Sequence, residues 1–388
     1  EQLAGLWKDR PAVCVAAGPS LHMNLLQLLP FRVRIAIISA GTVYALMQGL
    51  HLAPDIVTTI DFQRLNWTDQ FLHVPLDPAC ALVYLHSTHP QTPRRWPGPR
   101  FVAENSSETL LWMRQYTEAK ASAAQVQTVA HLNLLVALML GANPILLLGQ
   151  DLSMPQTQHH AVGARAQDQA PCEVAADAFM SVPDMYGNPV STRHSFLSMR
   201  TVFERIIAEH PDRTIVQCSE AGLPLVGAPH RPLQEVLNSL PALPAGESLR
   251  TTIRKVFAAY TPKIQAQLLP DMDGLIAQVE ALTVSAKLML EAWAKIAEAQ
   301  STEEIALRRQ AFIAYEPSLQ LSQRAFGLFA LRQFTLIALF SMIPPDAETT
   351  DAATLAHLNC DRLHTVAEII VAESPAVLRT LRSTLARL

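Results

Sequence analysis

Lysine is scarce in this chain: only six of its 30 basic residues are lysine. Positive charge is therefore carried mostly by guanidinium groups, whose fixed fork suits carboxylate or phosphate. Charged residues make up 16% and aromatics 6%, against 49% hydrophobic residues. That balance excludes a disordered chain and leaves enough apolar side chains for a large core. The formal net charge of −4 excludes a generally basic nucleic-acid binder but leaves room for a local anion pocket. The five cysteines (Cys14, Cys80, Cys172, Cys218 and Cys360) contain no Cys-x-x-Cys pair. Neither a zinc knuckle nor a disulfide framework is expected, and a reducing cytoplasm fits. No basic-then-apolar leader follows Glu1, so no secretory signal is read there. Long apolar runs are also interrupted. Leu132–Gly149 carries Asn133, Gly141, Asn143 and Pro144, and Ala325–Ile343 carries Arg332 and Gln333. A helix followed by a strand, and a buried helix, are expected there rather than transmembrane spans.

What is present changes character near residue 240. Eleven of the 14 glycines precede it. Beyond Leu240–Glu247 the chain becomes long runs of Ala, Leu, Gln, Glu and Arg. Leu275, Val279, Leu282 and Ala286 recur at helical steps, as do Leu328, Leu331, Phe334 and Ala338. Pro344-Pro345 and Glu373-Ser374-Pro375 are expected to break these helices. The 388 residues thus divide into residues 1–240 and a helical domain, 241–388. In the first part, buried-strand runs at Ala12–Ala17, Arg34–Ser39, Ile56–Ile60, Ala81–Tyr84, Ile145–Leu148 and Thr214–Gln217 alternate with helical stretches. This is the pattern of a mostly parallel sheet wound with helices. Ligands bind such sheets at the carboxyl ends of the strands, which makes Ser20, Asp61, His86, Gln150 and Asp151 candidates.

Gly18-Pro19-Ser20 follows the first strand and opens a helical stretch. It reads either as a phosphate-binding turn, with backbone N–H groups facing an anion, or as a tight turn with a serine cap. It is neither G-x-G-x-x-G nor a P-loop, which disfavours a dehydrogenase or a P-loop kinase. Asp61 ends the third strand, where a carboxylate can hold a ribose hydroxyl, a metal or an amine, or merely cap a turn. His86 and His89 have metal-like spacing but run into Pro90 with no companion carboxylate or thiolate motif. His159-His160 lies in a polar loop beyond Gln150-Asp151, where a histidine can shuttle a proton or stay solvated. The Asp-x-Asp pair at Asp271 and Asp273 falls in the helical part. It reads as an acidic first helical turn rather than a metal site.

Five ordered motifs share a further likeness: AAGPSL (Ala16–Leu21), LAPDIVTTID (Leu52–Asp61), GANPILLLGQDLS (Gly141–Ser153) with His160-Ala161 beyond, DMYGNPVST (Asp184–Thr192) and CSEAGLPLVGAP (Cys218–Pro229). Over about residues 10–240 the sequence resembles the bacterial motility-associated factor (Maf) glycosyltransferases, whose central domain belongs to a family named after an archaeal pterin pyrophosphokinase. It departs at Ser219–Leu223, where the family pattern has an Asn before the Ser/Ala-Glu and a second Gly after Glu220. The resemblance implies a Rossmann-like, sialyltransferase-like α/β domain. It also implies a CMP-activated nonulosonic acid as donor and serine or threonine of flagellin as acceptor, modified in the cytoplasm for flagellar assembly and motility. Members often carry a further N-terminal domain, whose removal a start at Glu1 would fit. On this reading Gly18, Pro19, Ser20, Asp61, His86, Gly149, Gln150, Thr192 and Glu220 bind the donor. His160 is the proton-transfer group, with Asp151 as the rival base. No cofactor or metal is required, because backbone N–H groups at Gly18–Ser20 would stabilise the leaving phosphate. Two alternatives remain open. One is a pyrophosphokinase using ATP and magnesium; the other is a non-catalytic module binding flagellin or a nucleotide.

Overall fold

A computed structural model of the protein describes residues 2–103, 126–154, 164, 179–241, 247–260, 267–297, 301–313 and 352–386. The described residues form two compact units, one reaching Tyr260 and the other beginning at residue 267. The first unit is built on seven strands: β1 Ala12–Val15, β2 Ala36–Ala40, β3 Ile56–Thr59, β4 Ala81–Leu85, β5 Arg100–Ala103, β6 Ile145–Leu148 and β9 Ile215–Gln217. They pair in the order β5-β4-β3-β2-β1-β6-β9, every pair parallel. An antiparallel hairpin, β7 Phe179–Pro183 with β8 Pro189–Arg193, stands beside it. The Rossmann-like sheet followed by helices is thus the observed architecture.

The period of two decides which residue serves which face. Ala12, Cys14, Ala36, Ile38, Ile145 and Leu147 join one apolar cluster with Val136 of α4 (Val129–Met139) and Phe203 of α5 (His194–Ala208). Val13, Val15, Ile37, Leu146 and Leu148 join a second cluster with Val43 of α1 (Gly41–Gly49) and Leu233 of α6 (Leu233–Ser239). Both faces are covered, which is why these strands are continuous apolar runs rather than alternating ones. Between β3 and β4 lies α2 (Arg64–Gln70), and between β4 and β5 lies α3 (Gln91–Arg95).

Helix α7 (Leu249–Ala259) lies past residue 240, yet it completes the α/β unit. Leu249 and Ile253 enter the first cluster. Arg250 reaches Asp55 at 3.1 Å and Asp77 at 2.7 Å. Asp55, 2% exposed, also receives Arg32 at 2.7 Å and the Ile37 N–H at 2.7 Å. One buried carboxylate thus ties β2, the entry to β3 and α7 together. Removing one partner of such a buried pair leaves an uncompensated charge. Asp55→Asn is expected to lower the unfolding free energy by about 3–5 kcal/mol, read from urea denaturation. A loss below about 1 kcal/mol would show that desolvation already cancels the pair.

The second unit contains α8 (Leu268–Ala297), α9 (Thr302–Ile313) and α10 (Ala352–Leu385). Leu275, Val279, Leu282 and Ala286, the expected stripe, are buried against Val366, Ala367, Ile370 and Leu381 of α10. The break expected at Glu373-Ser374-Pro375 does not occur: α10 runs through Pro375. The buried Ser374 hydroxyl donates to the Ile370 carbonyl at 2.6 Å. Apolar contacts of Ile370, Val377 and Leu381 on either side outweigh the roughly 3 kcal/mol that an interior proline costs. The stripe Leu328–Ala338 and Pro344-Pro345 lie outside the described residues. No described helix is long and apolar enough to cross a membrane.

Candidate functional site at the switch point of the sheet

Strands β1 to β5 are added outward in one direction, whereas β6 and β9 are added on the other side of β1. The chain order therefore reverses between β1 and β6, the place where open α/β sheets set their ligand crevice. The loop after β1 is Ala16–Ser20; the loop after β6 is Gly149–Met154. The two are held close by backbone bonds from Ala16 N–H to Leu148 O at 2.9 Å and from Gly18 N–H to Gly149 O at 2.8 Å. Gly149 has φ +66°, and a Cβ on it would lie 2.4 Å from the Ala16 carbonyl oxygen. A Cβ on Gly18 would lie 2.4 Å from the Gly149 oxygen and 2.6 Å from Asp151 Cγ. Both positions need glycine for close approach, so a bulky residue at Gly18 would disturb the fold as well as any ligand.

Asp151 crosses this junction. Its Oδ2 accepts the Ser20 N–H at 2.6 Å, and its Oδ1 accepts the Ser20 hydroxyl at 2.7 Å. It is 2% exposed, and burial pushes its carboxyl up to about 6, against the opposing pull of the Ser20 bonds and the His22 charge. The anion-binding turn expected at Gly18–Ser20 is therefore not built with free donors: the Gly18 N–H is spent on Gly149 O, Pro19 has none, and the Ser20 N–H and hydroxyl go to Asp151. The helical stretch is two short 3₁₀ segments, Pro19–Met23 and Leu25–Phe31, with Pro30 inside the second. The Ser20 donors face the protein's own carboxylate, and the Leu21 N–H returns to Gly18 O at 3.0 Å.

The remaining candidates distribute unevenly. Gln150, nearly buried, gives its N–H to Ser219 Oγ at 2.8 Å, and the Asp151 carbonyl takes the Leu223 N–H at 2.8 Å. Glu220 meets Asn24, whose Nδ2 lies 3.2 Å from Glu220 Oε1 and 2.8 Å from Cys218 O. Thr192 is buried, and its hydroxyl donates to Leu152 O at 2.8 Å, so it anchors the hairpin on the β6 loop. Gly18, Pro19, Ser20, Gly149, Gln150, Asp151 and Glu220 therefore belong to one loop cluster, with Thr192 at its border. Asp61 and His86 leave β3 and β4, two and three strands from β1. Burial raises the Asp61 carboxyl above the usual carboxylate range. His160 lies outside the described residues. Asn24, Ser219, Tyr186 and His230 were not anticipated. Tyr186, 55% exposed at the hairpin turn, sets its ring 5.3 Å from that of His230, whose Nε2 lies 3.1 Å from Ser219 O. Among the described residues no three His, Cys, Asp or Glu side chains group as a metal site would need.

This is the open α/β class that takes its ligand at a switch-point crevice. Residues 1–157 match the family described as 6-hydroxymethylpterin diphosphokinase MptE-like. The matched stretch spans β1 to β6 together with the loops that leave β1 and β6. Among solved structures the fold is similar to that of the MAf glycosyltransferase from Magnetospirillum magneticum AMB-1, with a TM-score of 0.59 at 14% identity. The likeness covers 96% of this chain and 56% of that one, so the chain spans little more than half of its neighbour's length. No curated protein matches the chain.

Proposed function

We propose that the chain is a glycosyltransferase that moves a nonulosonic, sialic-acid-like sugar from a CMP-activated donor to serine or threonine of flagellin in the cytoplasm. The observation that carries this reading is the reversal between β1 and β6. There the family-like motifs AAGPSL and GQDLS meet where open α/β sheets set their ligand crevice, in a fold shared with a glycosyltransferase. Asn24 Oδ1, buried and without a partner in the same loop cluster, is an acceptor suited to a base amino group or a ribose hydroxyl. In the transfer, the bond from the sugar's anomeric C2 to the phosphate oxygen breaks, and its electron pair leaves with CMP. The acceptor hydroxyl oxygen forms the new bond to C2, and its proton passes to a base, for which His160 is proposed. Asp151 is held by both Ser20 donors and lies away from solvent. It suits positioning of the β1 loop better than proton abstraction. Gly18, Pro19, Ser20, Gly149, Gln150 and Glu220 form the proposed donor cleft, with Asp61 and His86 on its distant strands.

A second reading follows from the family description: pyrophosphoryl transfer from ATP with magnesium. One thermal-shift panel separates the two. CMP at 100 times its dissociation constant is expected to stabilise the fold by about 2.7 kcal/mol, without magnesium. A shift with magnesium-ATP and none with millimolar CMP would reverse the assignment. No response to either, or to activated sugars, would favour a module without nucleotide chemistry.

A further inference from the structure

Away from the switch point, beside the loops that leave β3 and β4, lies a cavity of about 370 Å³. Arg64, Trp67 and Leu72 line it from α2 and the loop after it; His89, Gln91 and Arg95 line it from α3 and its approach. No carboxylate is among its lining residues. Arg64 and Arg95 are both exposed. Arg95 spends one N–H on Gln91 Oε1 at 3.1 Å, and neither guanidinium has an ion-pair partner among the described residues. The His89 backbone N–H is committed to Asp61 O at 2.9 Å, but its ring Nδ1 is buried and has no partner. Two guanidinium groups without counter-charge, beside an orphaned imidazole nitrogen, repel a metal cation and attract an anion. The metal-like spacing of His86 and His89 therefore points the wrong way in charge. The volume falls within the range of small-molecule sites, and Trp67 and Leu72 give it an apolar wall.

We infer that this cavity binds the oxyanion of a small molecule, a carboxylate or phosphate carried on a ring or apolar body, with Arg64 and Arg95 as its charged clamp. β3 is two strands from β1, roughly 10 Å at ordinary strand spacing, so the cavity stands apart from the Gly18–Asp151 loop cluster, on the side where Asp61 and His86 leave the sheet. The inference holds whichever group is transferred at that cluster. Calorimetric titration of the full chain with glucuronate, glucose 6-phosphate and glucose tests it. At least one of the two anionic sugars is expected to bind with neutral glucose silent, and which one binds tells carboxylate from phosphate. The Arg64→Ala/Arg95→Ala double variant changes two exposed side chains and is expected to weaken that binding roughly tenfold or more, while its thermal response to CMP stays that of the unchanged protein. Equal binding of glucose, no binding of either anion, or an unaltered affinity in the double variant would overturn the inference.

Discussion

Replacing His160 with alanine is expected to lower turnover by about 10²–10⁴, the usual contribution of a positioned acid or base. The affinity for CMP should remain nearly unchanged. A serine or threonine hydroxyl is a poor nucleophile until its proton has somewhere to go, and a histidine near its ordinary pKa can take that proton at neutral pH. An interaction made mainly in the transition state appears in kcat rather than in ground-state binding. Asp151→Asn is the matched comparison. Its amide keeps the shape, with the oxygen accepting the Ser20 N–H and the NH2 donating to a reoriented Ser20 hydroxyl, so it should cost less than about tenfold in turnover if Asp151 only positions the loop. An unimpaired His160→Ala enzyme together with an inactive Asp151→Asn enzyme would exchange the two roles.

Asp151 also carries the second large effect, on stability rather than rate. Its carboxyl sits near 6 in the folded protein because it is buried, whereas an unfolded aspartate sits near 3.9. Between these values the folded state holds more protons than the unfolded state, so stability falls as pH rises through this window. About two pKa units correspond to about 3 kcal/mol, fully available below pH 4 and lost above pH 6. Asp151→Asn removes this dependence. Urea midpoints at pH 4 and pH 7 for both proteins give the double difference, in which the other acidic groups cancel. Parallel pH profiles for the two proteins would refute the assignment.

The central strands were legible because parallel strands covered on both faces must be apolar throughout, as AVCV, AIISA and ILLL are. The edge strand β5 escaped notice. Its RFVA is short and leaves alternate side chains outside, so nothing in it distinguishes a strand from a loop. The hairpin was visible only as a motif, since prolines at Pro183 and Pro189 disguise its strands. The candidate residues around β1 and β6 could be named from their places at strand ends. What joins them could not. Ser20 and Asp151 are 131 residues apart, and the bond between them depends on β1 and β6 becoming neighbours. The same holds for Arg250 and Asp55, 195 residues apart. Asn24 gave no signal, because one amide after an irregular turn looks like any surface asparagine until its surroundings close over it.

The position of β1 in the middle of the sheet has a consequence for synthesis. Its partner on one side, β2, leaves the ribosome almost at once. The partner on its other side, β6, is made more than a hundred residues later and β9 later still. At about 5–20 residues per second, the bare edge of β1 waits roughly 7–27 s for the segment that pairs with it. During that interval the nascent chain presents an unpaired, wholly apolar parallel strand, the kind of edge that recruits other chains. The slower the translation between β1 and β6, the longer that edge stays open to other chains.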